Sequence, residues 1–234
     1  MRGARGQAVL AIDSSTRDAY VAVEVDGTLA AEEAVTARAN ASSALLPAVD
    51  RAVRAAGLAP GGVSAVVVGG GPGSFTGLRI AAATAKGIVR ALGVPLYAYS
   101  GLLAAAAAYR DGDRAVCALF DARNREVFAG CWRFAEGVEE VLGVTAGPVD
   151  DIVERLRGRS VRFVGEGAAL HRALLVDAFG AEAVAGEERS PASGLLWLAR
   201  AVPEHGRVAD PAAWEPDYVR AAGVERIAAA RGAG

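Results

Sequence analysis

The sequence predicts an α/β protein of two lobes, each a mixed β-sheet flanked by helices, with the second lobe repeating the first. Three observations predict it. Short apolar, often β-branched runs interleave with segments of helical spacing. The first half orders these as β-β-β-α-β-α-β, and the same opening returns from residue 114. With 234 residues, 53% of them apolar and 22% charged, the chain has enough apolar surface for two cores and lacks the composition of a disordered protein.

Each element has a local cause. Residues 8–12, AVLAI, read as a buried strand, and 19–25, AYVAVEV, as a second that ends in Asp26-Gly27, a strong hairpin signal before a third strand reaching about Val35. In the next segment Ser42 or Ser43 can cap a helix over 42–56, with Leu45, Leu46, Val49 and Val53 at helical spacing, Pro47 tolerated in the first turn and Gly57 ending it. VSAVVVGG at 63–70 has the unbroken apolar run of a parallel strand covered on both faces. A helix over 76–92 follows, stopped by Gly93-Val94-Pro95, and LYAYS is the fifth strand. Three antiparallel strands feeding two right-handed crossovers make the ribonuclease H-like arrangement.

The second half repeats the unit. A strand ends at Asp121, a turn falls at Arg123-Asn124, a second strand runs to Trp132, and a third follows Gly137. Then come a helix near 148–157, a strand at 160–164, the turn Gly165-Glu166-Gly167 and a helix at 168–179. Asp121-Ala122-Arg123 thus takes the place of Asp13-Ser14-Ser15. The expected division is a first lobe of residues 1–105 and a second of 106–206, which includes a helix over 191–206; a proline-bearing extended arm within 207–228 can return to the first lobe. The hairpin near Asn124 sets Cys117 and Cys131 opposite each other, as reduced, buried thiols.

Composition removes several function classes. Net charge is −2 and the basic residues are scattered, so no electrostatic footprint for nucleic acid is visible. The apolar run near the start is broken by Asp13, too short for a secretory signal, and no stretch approaches the roughly 18 apolar residues of a membrane span. Two cysteines without a CxxC make no disulfide framework, and the expected location is the cytoplasm.

Two stretches invite a nucleotide. GGGPGSFTGLR at 69–79 precedes a helix, where free amides and the helix dipole favour an anion. It fits neither GxxxxGK[ST], because Leu78-Arg79 follow Gly77, nor GxGxxG. The competing reading, a tight strand-to-helix connector capped by Ser74 or Thr76, is favoured. Asp13 at the end of the first strand is either a weak nucleotide contact, with Ser14 and Gly71, or the close of a turn through its own backbone. His171 and His205 form no HxxxH or HExxH pair, no GxSxG is present, and Glu139-Glu140 and Glu187-Glu188 read as solvated.

AIDSST at 11–16, GGGPGSFTGLRIAAATAKGI at 69–88, DARNREVFAG at 121–130 and PDYVR at 216–220 together resemble the TsaB (YeaZ) family of bacterial threonylcarbamoyladenosine biosynthesis proteins, over residues 8–222. The resemblance implies an actin-like, two-lobed fold of the ASKHA superfamily. It also implies a non-catalytic partner and activator of TsaD, which transfers a threonylcarbamoyl group to the adenosine beside the anticodon of tRNAs reading codons that begin with A. The implied associations are a heterodimer with TsaD, TsaE in a larger complex, a homodimer when alone, and tRNA reached only through the complex. No cofactor is implied for this chain by itself, ATP being placed at the interface with the partner. In this family the first two helices meet TsaD, which here are 42–56 and 77–92, so the implied interface residues are Leu45, Leu46, Val49, Val53, Gly77, Ile80, Thr84 and Ile88. Such proteins lack the paralogue's two-histidine metal motif, in keeping with the histidines here, and no protease machinery supports the glycoprotease-like label. The chain reads Ala41-Ser42-Ser43 where members often carry His-Ser-Glu. The alternative is a free-standing ATPase or kinase on the same fold.

Overall fold

The computed structural model describes residues 7–36, 41–110 and 112–218. Its first lobe runs β1 (Ala8–Asp13), β2 (Ala19–Val25), β3 (Thr28–Val35), α1 (Ala41–Ala55), β4 (Ala65–Gly69), α2 (Phe75–Leu92) and β5 (Leu96–Tyr99), with sheet order β3-β2-β1-β4-β5. β1, β2 and β3 pair antiparallel while β4 and β5 join parallel, as right-handed crossovers require. Asp26 and Gly27 both take positive φ, 50° and 81°, the backbone of a tight two-residue hairpin. α1 starts at Ala41, so Ser43 lies inside its first turn rather than at the cap; the expected cap at Ser42 lies outside the described side chains. Ser74 caps α2 through its hydroxyl, which accepts from Gly77 N at 3.3 Å, and Gly93 closes it at φ 67°.

α3 (Gly101–Ala107) leads into the second lobe, which comprises β6 (Ala115–Arg123), β7 (Glu126–Arg133), β8 (Glu139–Pro148), α4 (Val149–Leu156), β9 (Val161–Val164), α5 (Glu166–Leu170) and α6 (Arg172–Phe179), in sheet order β8-β7-β6-β9. The repeat is complete but for its fifth strand. That strand is reduced to Val184, which bridges Phe163 in parallel and is followed by Ala185 N donating to Phe163 O at 3.0 Å. The helix expected over 168–179 is split at His171, whose φ of −102° breaks the ladder between α5 and α6. Cys117 and Cys131 are opposite each other on β6 and β7, both buried and free.

Each face of the first sheet needs a cover, because every residue of β1 is buried. α1 and α2 cover one face with Leu10, Ile12, Val21, Val66 and Val68 beneath them. The other face, with Val9, Ala11, Ala22 and Val67, is covered by α3 and by α7 (Pro191–Ala201). This corrects the expected boundary at 206: α7 returns to the first lobe rather than staying with the second. Its buried Leu195, Leu196 and Leu198 favour that docking by roughly 2 kcal/mol each. Gly194 sets the closeness, since a Cβ there would overlap the Ala104 carbonyl oxygen of α3. The single helix expected over 191–206 ends at Ala201, and a short α8 (Pro203–Gly206) begins at the proline that interrupts it.

Beyond α8 the chain crosses the first lobe again. Arg207 bridges Tyr97, Val208 N donates to Leu96 O at 3.0 Å, Lys86 Nζ donates to Trp214 O at 2.8 Å, and Asp217 N donates to Gly70 O at 2.7 Å. Residues 219–228 of the expected arm lie outside the described residues.

Arg200 pins α7 to the β2–β3 hairpin, forming an ion pair with Glu24 Oε2 at 3.1 Å and donating to Gly27 O at 2.7 Å. The Glu24 side chain is only 6% exposed, and burial raises its carboxyl above the ordinary value against the pull of Arg200. Arg200→Ala is expected to cost about 1–2 kcal/mol, discounted because the guanidinium is half in solvent. A carboxylate whose folded pKa is raised loses stability as pH rises, so urea titrations should show a larger deficit at pH 8 than at pH 4.

Candidate functional site

The turn after β1 and the glycine loop after β4 meet at the first lobe's rim. Asp13 is fully buried; its Oδ1 accepts from Ser15 N at 3.0 Å and its Oδ2 from Ser15 Oγ at 2.9 Å. Both acceptor atoms are thus used within the turn. Gly69 and Gly101 leave no space around it, because a Cβ on the first would overlap Asp13 Oδ2 and one on the second Ser15 Oγ.

The glycine loop lies directly on this turn. Ser74 N donates to Ser15 O at 2.7 Å and Gly70 N to Tyr99 O at 2.7 Å. Gly73, at φ 154°, sits against the Ser15 carbonyl, and Gly77 against the carbonyl of Ser14. Gly71, at φ 97°, has the Asp217 carbonyl where a Cβ would be. Three candidates read from the sequence, Asp13, Ser14 and Gly71, therefore come together as backbone packing. Gly73 and Gly77 are backed by Ser15 and Ser14, and Gly71 by the returning arm.

Burial raises the Asp13 carboxyl from 3.8 to about 6, opposed by the two Ser15 hydrogen bonds. The folded state therefore holds this proton more tightly than the unfolded chain. Its contribution is present in full below about pH 4 and is lost as pH climbs to about 6, a swing of roughly 3 kcal/mol. Asp13→Asn should flatten the stability profile between those limits. Denaturant midpoints collected across pH 4–7 for both proteins check this.

The lobes are joined next to this turn by contacts that the sequence does not announce. Arg17 N donates to Glu166 Oε2 at 3.2 Å, and Tyr20 OH donates to Glu188 Oε1 at 2.9 Å. Tyr109 OH donates to Glu187 O and accepts from Arg189 N at 2.7 Å. Burial raises the Glu166 carboxyl, with Asp121 and Glu188 adding repulsion, against the hydrogen bond from Arg17. Glu188 is thus an acceptor between lobes rather than merely solvated. Only the pairing of Asp121 with Asp13 in the repeat pointed toward this rim. A shallow groove of about 250 Å³ remains beside it, between Gly70–Pro72, Tyr99, Ser100, Val144 and Trp214.

The helix residues named as interface divide into two groups. Leu45, Val49 and Val53 are buried in their own lobe's core, which corrects their expected outward role: they are the apolar face that α1 uses to seal the sheet. Gly77 is likewise inward. Leu46 is 58% exposed, and Ile80, Thr84 and Ile88 are half-buried along α2. Ala83 and Gly87, which flank them, are exposed, and a Cβ added to Gly87 would meet nothing within 4 Å. At the start of α2 the exposed Phe75 ring stands 5.0 Å from the Tyr218 ring and carries the Arg79 guanidinium 4.5 Å from its centroid.

Among the described residues no three of His, Cys, Asp and Glu are grouped to hold a metal, and no helix is long and apolar enough to cross a membrane. His171 Nε2 is buried with no hydrogen-bond partner among the described residues, and His205 lies on α8 beside Glu204.

Residues 34–192 match the family model TsaD, tRNA N6-adenosine threonylcarbamoyltransferase. The chain is 32% identical over 226 residues to the tRNA threonylcarbamoyladenosine biosynthesis protein TsaB of Bacillus subtilis, covering 93% of this chain and 96% of that one. A crystal structure from Pseudomonas aeruginosa, described as an uncharacterized protein with similarity to peptidase YEAZ, aligns with a TM-score of 0.74 at 30% identity, over 92% of this chain and all of that one. A second structure, YeaZ from Pseudomonas aeruginosa, aligns at 0.70 and 26% identity, over 91% of this chain and all of that one. Full-length likeness in sequence and in fold agrees with the four motifs, and the chain belongs to the TsaB (YeaZ) family of tRNA threonylcarbamoyladenosine biosynthesis proteins.

Proposed function

We propose that this chain is the non-catalytic partner and activator of TsaD in the formation of threonylcarbamoyladenosine on tRNA. The family places it in that biosynthesis; the outward side of α1 and α2 supports the partner role. The observation that carries it is Gly87, an exposed glycine at the thirteenth position of an 18-residue helix, with no neighbour that needs its missing side chain. Such a glycine costs roughly 1 kcal/mol relative to alanine. Nothing among the described residues returns that cost, whereas a helix from a partner, closing on Ala83, Thr84, Gly87 and Leu46, does.

In this reading the chain works as a heterodimer with TsaD in the cytoplasm, with TsaE joining a larger complex and a homodimer forming through the same helices when TsaD is absent. ATP belongs at the interface with the partner rather than in this chain alone. The TsaB relatives do not favour the free-standing ATPase or kinase, and Asp13 is hydrogen-bonded within its own turn. The test is reconstitution of the modification with TsaD, the enzyme that supplies the activated threonylcarbamoyl group and unmodified tRNA, with and without this chain. Modification should appear only when the chain is present, alongside a complex at micromolar concentration. Full modification without it rejects the proposal.

A further inference from the structure

We propose that Cys117 and Cys131 form a redox pair that closes reversibly into a disulfide across the β6–β7 hairpin. The two residues are direct register partners on adjacent antiparallel strands. Opposed Cα atoms in such a pair lie about 4.5–5.5 Å apart, within the roughly 4.4–6.8 Å that a disulfide spans. The Cα spacing of such a pair therefore suits the bond.

The surroundings divide the work between the two thiols. Both are buried, which limits attack to moments when the sheet loosens. The ladder between β7 and β8 is irregular on both sides of Cys131, with shifts between Ala129 and Cys131 and between Cys131 and Trp132, so it is weakest there. Contact with Cys117 and the guanidiniums of Arg159 and Arg133 hold the Cys131 thiol below its ordinary range against burial. Burial pushes the Cys117 thiol up. The loosened ladder beside Cys131 lets an oxidant reach it first, which makes Cys131 the attacking sulfur and Cys117 the resolving one.

With a low-molecular-weight disulfide as oxidant, the Cys131 thiolate attacks one sulfur, forms a mixed disulfide and releases one thiolate. Cys117 then loses its proton, attacks Cys131 Sγ and expels the second thiolate. Two protein thiols are oxidised and one small disulfide is reduced to two thiols. The closed bond ties the strands behind a turn in which Arg123, Asn124 and Arg125 all take positive φ, at 67°, 51° and 65°.

The test incubates the full chain under native conditions with oxidised glutathione. The intact mass should fall by two hydrogens, peptide mapping should join Cys117 to Cys131 within one chain, and dithiothreitol should reverse both. Closure should run at least tenfold faster than global unfolding, the latter measured by hydrogen exchange of the reduced chain. Cys117→Ala should retain glutathione on Cys131, while Cys131→Ala should leave Cys117 unmodified. Two free thiols after exposure, links between chains only, or closure no faster than global unfolding overturns the switch, and the wild-type arm decides this even where an alanine variant fails to fold. Glutathione trapped preferentially on Cys117 overturns the assigned roles.

Discussion

Gly77→Leu is expected to cost the first lobe its fold, not only a partner. Gly77 lies in the first turn of α2, where a Cβ would overlap the carbonyl oxygen of Ser14 and stand 3.0 Å from Ser14 Oγ. That carbonyl cannot retreat. Ser14 is fixed between Asp13, whose carboxylate is bonded to Ser15, and Ser15, whose own carbonyl accepts from Ser74 N. Alanine already makes the overlap, so Gly77→Ala should destabilise by about 3–5 kcal/mol, in the range of severe overpacking and backbone displacement. Leucine should prevent soluble folding. Gly87→Ala is the matched control in the same helix; with open space around it, it should be neutral or stabilise by up to about 1 kcal/mol. Thermal melts of the two alanine variants check the pair. A Gly77→Ala chain that melts with the parent would show that the loop can lift from the Ser14 carbonyl.

The same glycine explains what the sequence could and could not disclose. Glycines at 69–77 announce that the backbone needs freedom there, and the failed phosphate motifs favoured a connector over an anion loop. What they pack against is a different matter, because Ser14, Ser15, Gly101 and Asp217 are brought there by the sheet order and the returning arm. Strands and helix ends were legible for local reasons: Asp26-Gly27 makes its hairpin, Ser74 its cap and Gly93 its stop. The placement of α7 was not, since an apolar helix such as Leu195–Leu198 carries no mark of which sheet face it will seal. For the same reason Leu45, Val49 and Val53 read as a stripe without saying whether it faces inward. Contacts between lobes were the least legible. Glu166 and Glu188 become acceptors for Arg17 and Tyr20 across about 150 or more residues of sequence, where no spacing rule operates.

Gly87→Leu combined with Leu46→Glu should abolish association with TsaD while leaving the fold intact. The two positions are on α1 and α2, which pack side by side, and both point outward: Leu46 is 58% exposed and Gly87 is open. Neither substitution removes a buried side chain. Leucine at 87 adds helix propensity, by roughly 0.8 kcal/mol, and glutamate at 46 replaces an exposed apolar side chain with a solvated charge. The folded chain therefore has no reason to suffer, and its melting temperature should match or exceed the parent's. A partner helix that closes on Gly87 meets a leucine in place of a gap and must bury the Leu46→Glu charge unpaired. Losses at the centre of an interface typically reach 2 kcal/mol or more for one such change, so the pair should weaken binding by at least about 100-fold. Titration calorimetry with TsaD reads the affinity, and reconstituted modification should fall to the level seen without the chain. The inward-facing Val53→Ala makes the contrasting variant, because it should lower the melting temperature yet leave the affinity of the folded fraction unchanged. If the double variant binds TsaD at the parental Kd, the outward sides of α1 and α2 are not the interface, and the cost of Gly87 must be explained by something other than a partner.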